Sequence, residues 1–154
     1  EPDTDAAVDV LLVAVGPLAE EALEAAAAVR GAGYRIRVVS PRWVTPVPDG
    51  VVELARSAGL VVTVEDGVVM GGVGSRIAQE LRAANLDIPT REIGIPVRFL
   101  EHGSVADVRA AAGLTVQDIG RRVVEWAALV APAVEPADDG ADVRPAHRPG
   151  GYRD

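Results

Sequence analysis

Apolar residues in this chain come in short runs separated by turn-forming residues, and the runs alternate between two periods. Asp9 to Gly16 is almost wholly apolar and rich in Val and Leu, the pattern of a strand buried on both faces of a parallel sheet. Gly16-Pro17 breaks it. Leu18 to Arg30, built from Ala, Leu and Glu, predicts a helix that Gly31 and Gly33 close. Tyr34 to Ser40 alternates before turning apolar, which predicts a second strand nearer a sheet edge. A proline-marked turn precedes a short helix over Val51 to Ala58, and Leu60 to Glu65 reads as a third buried strand. Gly74 to Ala84 carries Ile77, Leu81 and Ala84 at helical spacing. Thr90 to Ile95 predicts a fourth strand, and Val105 to Ala112 and Val116 to Leu129 predict the closing helices.

This alternation predicts an α/β fold: three layers, doubly wound, with a mainly parallel sheet. Right-handed crossovers restrict the strand order to 2-1-3-4, the winding reversing between the first and third strands. Residues 9–130 would form this domain. Residues 1–8 are expected to be an N-terminal remnant. After Val130 the text turns to Pro, Ala, Asp, Gly and Arg, so residues 131–154 are expected to be a disordered tail. There is no internal repeat.

Composition narrows the chemistry. The 154 residues make one domain, and 49% hydrophobic content supplies a core, but aromatics are only 3%, so that core rests on aliphatic side chains. No cysteine is present, which removes disulfides, thiolate metal sites and a thiol nucleophile. All 15 basic residues are arginine, which excludes a Schiff-base lysine and a phosphate-loop lysine, and most simply reflects a GC-rich coding bias. A net charge of −8 argues against nucleic acid or an anionic membrane as the main partner. No apolar run is long enough to span a membrane and no signal layout opens the chain, so the cytoplasm is the default expectation. The Glu1-Pro2 start, without methionine, suggests a fragment or processed product.

In open α/β sheets ligands gather beyond the carboxyl ends of the strands, where the order reverses. Gly16-Pro17 and Glu65-Asp66 would frame that crevice, with Gly71-Gly72-Val73-Gly74-Ser75 beside it, directly before a helix. Two readings stand for this loop. Its backbone N–H groups and the helix N-terminus suit an anion, or it is a tight turn and helix cap, with Gly72 or Gly74 at positive φ and Ser75 as N-cap or an early first-turn residue. Glu65 and Asp66 are candidates for an acid/base pair, or for holding loop backbone or meeting another domain. His102 lies on a loop before a helix, where it would cap that helix or contact a partner. Trp43 is expected to cover the sheet end and Arg42 to pack or meet an anion.

Several segments taken in order carry a resemblance. They are Val10 to Gly16 with the helix after it, Arg42-Trp43-Val44-Thr45-Pro46, Thr63-Val64-Glu65-Asp66-Gly67, Gly71 to Ser75, Gly94-Ile95-Pro96 with Phe99-Leu100-Glu101-His102-Gly103, and Gly113-Leu114-Thr115. Together they resemble the transketolase carboxy-terminal domain family, and within it the 1-deoxy-D-xylulose-5-phosphate synthase branch, from about Asp9 to Leu129. The Glu-Asp-Gly and glycine-loop segment is shared with the beta subunit of 2-oxoacid dehydrogenases; Gly-Ile-Pro with Phe-Leu-Glu-His-Gly favours the synthases. The resemblance implies a parent thiamine-diphosphate transferase, a homodimer, that joins pyruvate and glyceraldehyde 3-phosphate with loss of carbon dioxide. It implies that an N-terminal domain with a Gly-Asp-Gly motif holds the diphosphate and Mg²⁺, and that a middle domain supplies the activating glutamate. Neither region matches this chain, so no catalytic residue carries over, and the chain alone is expected to hold no cofactor and to be inactive. It further implies an antiparallel edge strand with no equivalent in Glu1 to Val8. A stand-alone small-anion or nucleotide-binding module, or the 2-oxoacid dehydrogenase domain, is the alternative.

Overall fold

The computed structural model describes residues 6–130, so the expected tail at 131–154 and residues 1–5 lie outside the described residues. Four strands, β1 (Val8–Val15), β2 (Ile36–Val39), β3 (Ala58–Val68) and β4 (Thr90–Ile95), form one sheet in the order β2-β1-β3-β4. All three pairings are parallel, with Val10 beside both Ile36 and Leu60, and Val61 beside Thr90. Among the described residues the helices are α1 (Ala19–Gly31), α2 (Asp49–Ala55), α3 (Val73–Ala83), α4 (Val105–Ala112) and α5 (Val116–Val130). A 3₁₀ turn over Gly16–Leu18, with Gly16 at φ +67°, takes the chain from β1 into α1.

The two-faced burial of β1 organises the core. Val10, Leu12 and Ala14 point to one side, where they join Leu60, Val62, Val64 and Ile93 beneath α1 and α5. Leu11 and Val13 point to the other and meet Val61, Val51, Ala55, Ile77 and Leu81 from β3, α2 and α3. Each fully buried side chain of this kind contributes roughly 1.5–3 kcal/mol. Shortage of aromatics is met by close approach. The buried face of α1 is largely alanine (Ala22, Ala25, Ala26), and α5 presents Gly120 to it, where a β-carbon would stand 3.2 Å from Ala28 Cβ.

Boundaries differ from the sequence reading where local signals compete. Asp49 opens α2 two residues early, behind extended Pro48, and Ala58 joins β3 by pairing with Val8. Pairing holds β2 to four residues. The third strand runs past Glu65 to Val68 through an irregularity between Val64 and Val68. Trp43 does not cover the sheet: it is 69% exposed, on the loop after β2.

Candidate functional site at the carboxyl ends of the strands

Strand alternation decides where the acidic residues of β3 point. Val61, Thr63 and Glu65 share the face that carries α2 and α3, so Glu65 arrives under the first turn of α3. It is 6% exposed, and its two carboxylate oxygens accept the N–H of Val73 at 3.0 Å and of Gly74 at 2.9 Å. The N-cap position is Gly72, which has no side chain to offer; a carboxylate from the sheet takes that role. Ser75 is therefore a first-turn residue and not the N-cap. Its hydroxyl lies 3.2 Å from the Val69 carbonyl and 3.1 Å from Glu92 Oε2, and its one proton serves one acceptor at a time.

The glycine loop thus already holds an anion, and that anion is Glu65. Positive φ falls at Gly71 (φ +75°), while Gly72 is extended at φ −71° and Gly74 is helical, which corrects the expectation for those two. They exclude side chains for a different reason. A β-carbon on Gly72 would overlap Glu65 Oε1 and come within 2.6 Å of the Val68 carbonyl, and one on Gly74 would overlap Thr63 Oγ1. Thr63 is fully buried, and among the described residues its hydroxyl has no hydrogen-bond partner.

Asp66, one residue on, turns the opposite way. It receives Arg109 Nη2 at 2.6 Å and Nε at 3.0 Å, and the same guanidinium reaches Glu21 at 3.4 Å. Bonding to Asp66 raises the basicity of Arg109 above its ordinary value. Arg109 joins the ends of β3, α1 and α4 across the point where strand order reverses. No spacing in the sequence flags it, since it lies 43 residues from Asp66.

His102 stands apart from this cluster. It is exposed and borders a surface cleft of about 560 Å³ with Arg98, Phe99 and Glu101. It does not cap α4: Ser104 does, accepting Asp107 N–H at 3.2 Å while Asp107 accepts the Ser104 N–H. That Ser-x-x-Asp spacing is a readable cap signal. The structure brings Glu65, Gly71, Gly72, Gly74 and Ser75 into one cluster and leaves His102 outside it.

A diphosphate does not fit this loop. The N–H groups it would need are bonded to Glu65, whose carboxylate would repel it. Among the described residues no group of three or more His, Asp or Glu side chains is placed to hold a metal ion, and no helix is long and apolar enough to cross a membrane.

The family described as transketolase, C-terminal domain, matches residues 4–119. This chain belongs to that family. It is 48% identical over 118 residues to the 1-deoxy-D-xylulose-5-phosphate synthase of Rhodococcus jostii, a match covering 77% of this chain and 18% of that protein. The synthase of Frankia casuarinae is 49% identical over 127 residues (82% and 19%), and that of Mycobacterium tuberculosis 46% over 130 (84% and 20%). The chain therefore spans about a fifth of the length of these relatives, over their C-terminal region. A split-gene transketolase, solved as an inactive β4 tetramer, shares the fold with TM-score 0.70 and 32% identity, covering 79% of this chain and 40% of that one. Transketolase from Campylobacter jejuni, 21% identical over 81% of this chain and 18% of its own, shares the fold alone at TM-score 0.55. The strand order read from the sequence is the one observed, and the synthase relatives do not favour the binding-module or 2-oxoacid dehydrogenase alternative.

Proposed function

We propose that this chain is the C-terminal structural and interface domain of a 1-deoxy-D-xylulose-5-phosphate synthase. The parent joins pyruvate to glyceraldehyde 3-phosphate with loss of CO₂, feeding isoprenoid and thiamine synthesis. Thiamine diphosphate and Mg²⁺ then belong to its N-terminal and middle domains, in a cytoplasmic homodimer. The observation that carries this reading is the internal occupation of the glycine loop. In a fold that offers its strand ends to ligands, Glu65 fills the N-terminus of α3 beside the reversal point, and Arg109 bridges the crevice.

What that end offers instead is contact surface. Met70 is 77%, Val97 66% and Phe99 94% exposed, an unusual outlay of large apolar side chains on the loops after β3 and β4. The folding unit begins at Val8, the first residue of β1, one residue before the expected boundary, and includes the chain to Val130; Glu65, Gly71, Gly72, Gly74 and Ser75 shape the loop, and Asp66 and His102 flank the surface. Sedimentation with a Rhodococcus synthase truncated before its C-terminal domain tests this. A complex is expected, weakened by Met70→Asp with Phe99→Asp; sedimentation of the two as separate species, with both folded, would refute it.

A further inference from the structure

All three strand pairings are parallel, so the loops that follow β2, β3 and β4 leave the sheet at one end. Met70 stands on the second of these loops, Val97 and Phe99 on the third, and the first carries Trp43, 69% exposed. Trp43 borders a groove of about 540 Å³ between β2 and α2, walled by Val39, Pro41, Pro48, Val51 and Leu54. An indole left in water beside an aliphatic hollow forgoes the burial that so large a side chain can contribute. The charges around the hollow are unequally spent. Glu53, the acidic side chain of its wall, accepts Arg56 Nε at 3.0 Å, and Asp49 lines a different hollow between α2 and α3. Arg42, also in the wall, meets no carboxylate among the described residues. Arg76 reaches the same loop from α3 only to donate to the Thr45 hydroxyl at 3.2 Å. On a chain of net charge −8 this loop is a local positive spot beside an apolar hollow.

We propose that the loop after β2 is a second anchor of the domain's interface, and that it receives an apolar side chain flanked by carboxylates from the body of the parent synthase. This anchor rests on the reading of the chain as a synthase C-terminal domain, and it adds the chemistry of the surface that the domain meets. The match covers only 18–19% of the synthase relatives, so the parent has ample chain to supply that surface. The apolar group seats in the groove against the Trp43 ring, and the carboxylates answer Arg42 and Arg76. A second copy of this chain is a poorer occupant, because a two-fold contact brings the same unanswered cations to both sides.

Hydrogen exchange of this chain, alone and with the Rhodococcus synthase truncated before its C-terminal domain, is the test, the slow amides of β1 and β3 recording that the chain stays folded. In the complex the amides of residues 42–45 should exchange at least about tenfold more slowly than in the free chain, as should those of Met70, Gly71 and residues 97–99. Trp43→Ala should weaken the complex about tenfold. Arg42→Glu should weaken it about fivefold at low salt, and less at about 0.5 M salt. A complex that protects Met70, Gly71 and 97–99 but leaves 42–45 as in the free chain, or one that takes the folded variants unchanged, would overturn this second anchor and leave the interface reading standing. Folded partners that form no complex would overturn both.

Discussion

The carboxylate of Glu65 occupies the space that a side chain on Gly72 would need. A β-carbon there would overlap Oε1 and stand 2.7 Å from the Glu65 carboxyl carbon. Because Gly72 has an ordinary extended backbone, this is a packing exclusion and not a conformational one. Gly72→Ala should therefore cost about 1–3 kcal/mol in urea unfolding, the range for overpacking. In a Glu65→Ala background, itself destabilised by loss of the α3 cap, Gly72→Ala should cost less than in the natural chain but still something, since the Val68 carbonyl remains 2.6 Å away. Full additivity of the two changes would show that the carboxylate is not what excludes the side chain.

Thr63 gives the opposite sign. Its buried hydroxyl has no partner, so the shape-preserving Thr63→Val removes an unsatisfied polar group. The variant should be more stable by about 1 kcal/mol in the same assay. A loss of similar size would mean that the hydroxyl is hydrogen-bonded in solution.

These relationships mark how far the sequence could be read. Runs such as Leu60 to Glu65 and Asp9 to Gly16 carry strand and period together, so the 2-1-3-4 sheet was legible from patterning and handedness alone. The turn of β3 past Glu65 was not, because Glu65-Asp66-Gly67 reads as a strand end and the irregular register that continues it leaves no local signature. Ser104-x-x-Asp107 was a stronger local signal for the α4 cap than His102, and the structure follows it. Arg109 meets Asp66 and Glu21 only through tertiary folding. An arginine in an alanine-rich helix gives no hint that it will bridge two carboxylates.

Arg109 makes a third test. Arg109→Met keeps the aliphatic stem but leaves Asp66 and Glu21 facing each other without the guanidinium, and Glu21 Oε2 is already buried and unpartnered. Thermal unfolding should occur at lower temperature, and Asp66→Asn should lower the Arg109→Met variant less than it lowers the natural chain. Equal effects in both backgrounds would dissolve the bridge as an energetic unit.

Acid should act through three aspartates. Asp9 is held below the ordinary 3.8 by its bonds to Arg35, Asp107 by Ser104, and Asp118 chiefly by Thr115. A carboxyl depressed in the folded state contributes stability that is fully present above its unfolded value and is lost as pH falls through the folded one. Unfolding free energy attributable to these groups should therefore hold steady from neutrality to about pH 5 and decline below about pH 4. Asp107→Asn should flatten part of that decline. A loss that sets in near pH 6 would have to come from other groups.

The most direct measurement of the central claim is enzymatic. A Rhodococcus synthase lacking its C-terminal domain, supplied with thiamine diphosphate, Mg²⁺, pyruvate and glyceraldehyde 3-phosphate, is assayed for deoxyxylulose phosphate with and without this chain. The account predicts no product from the chain alone, and formation that rises and saturates when the chain is added to the truncated enzyme. Product from the chain by itself, or no gain in activity from a folded chain at saturating concentration, would contradict it.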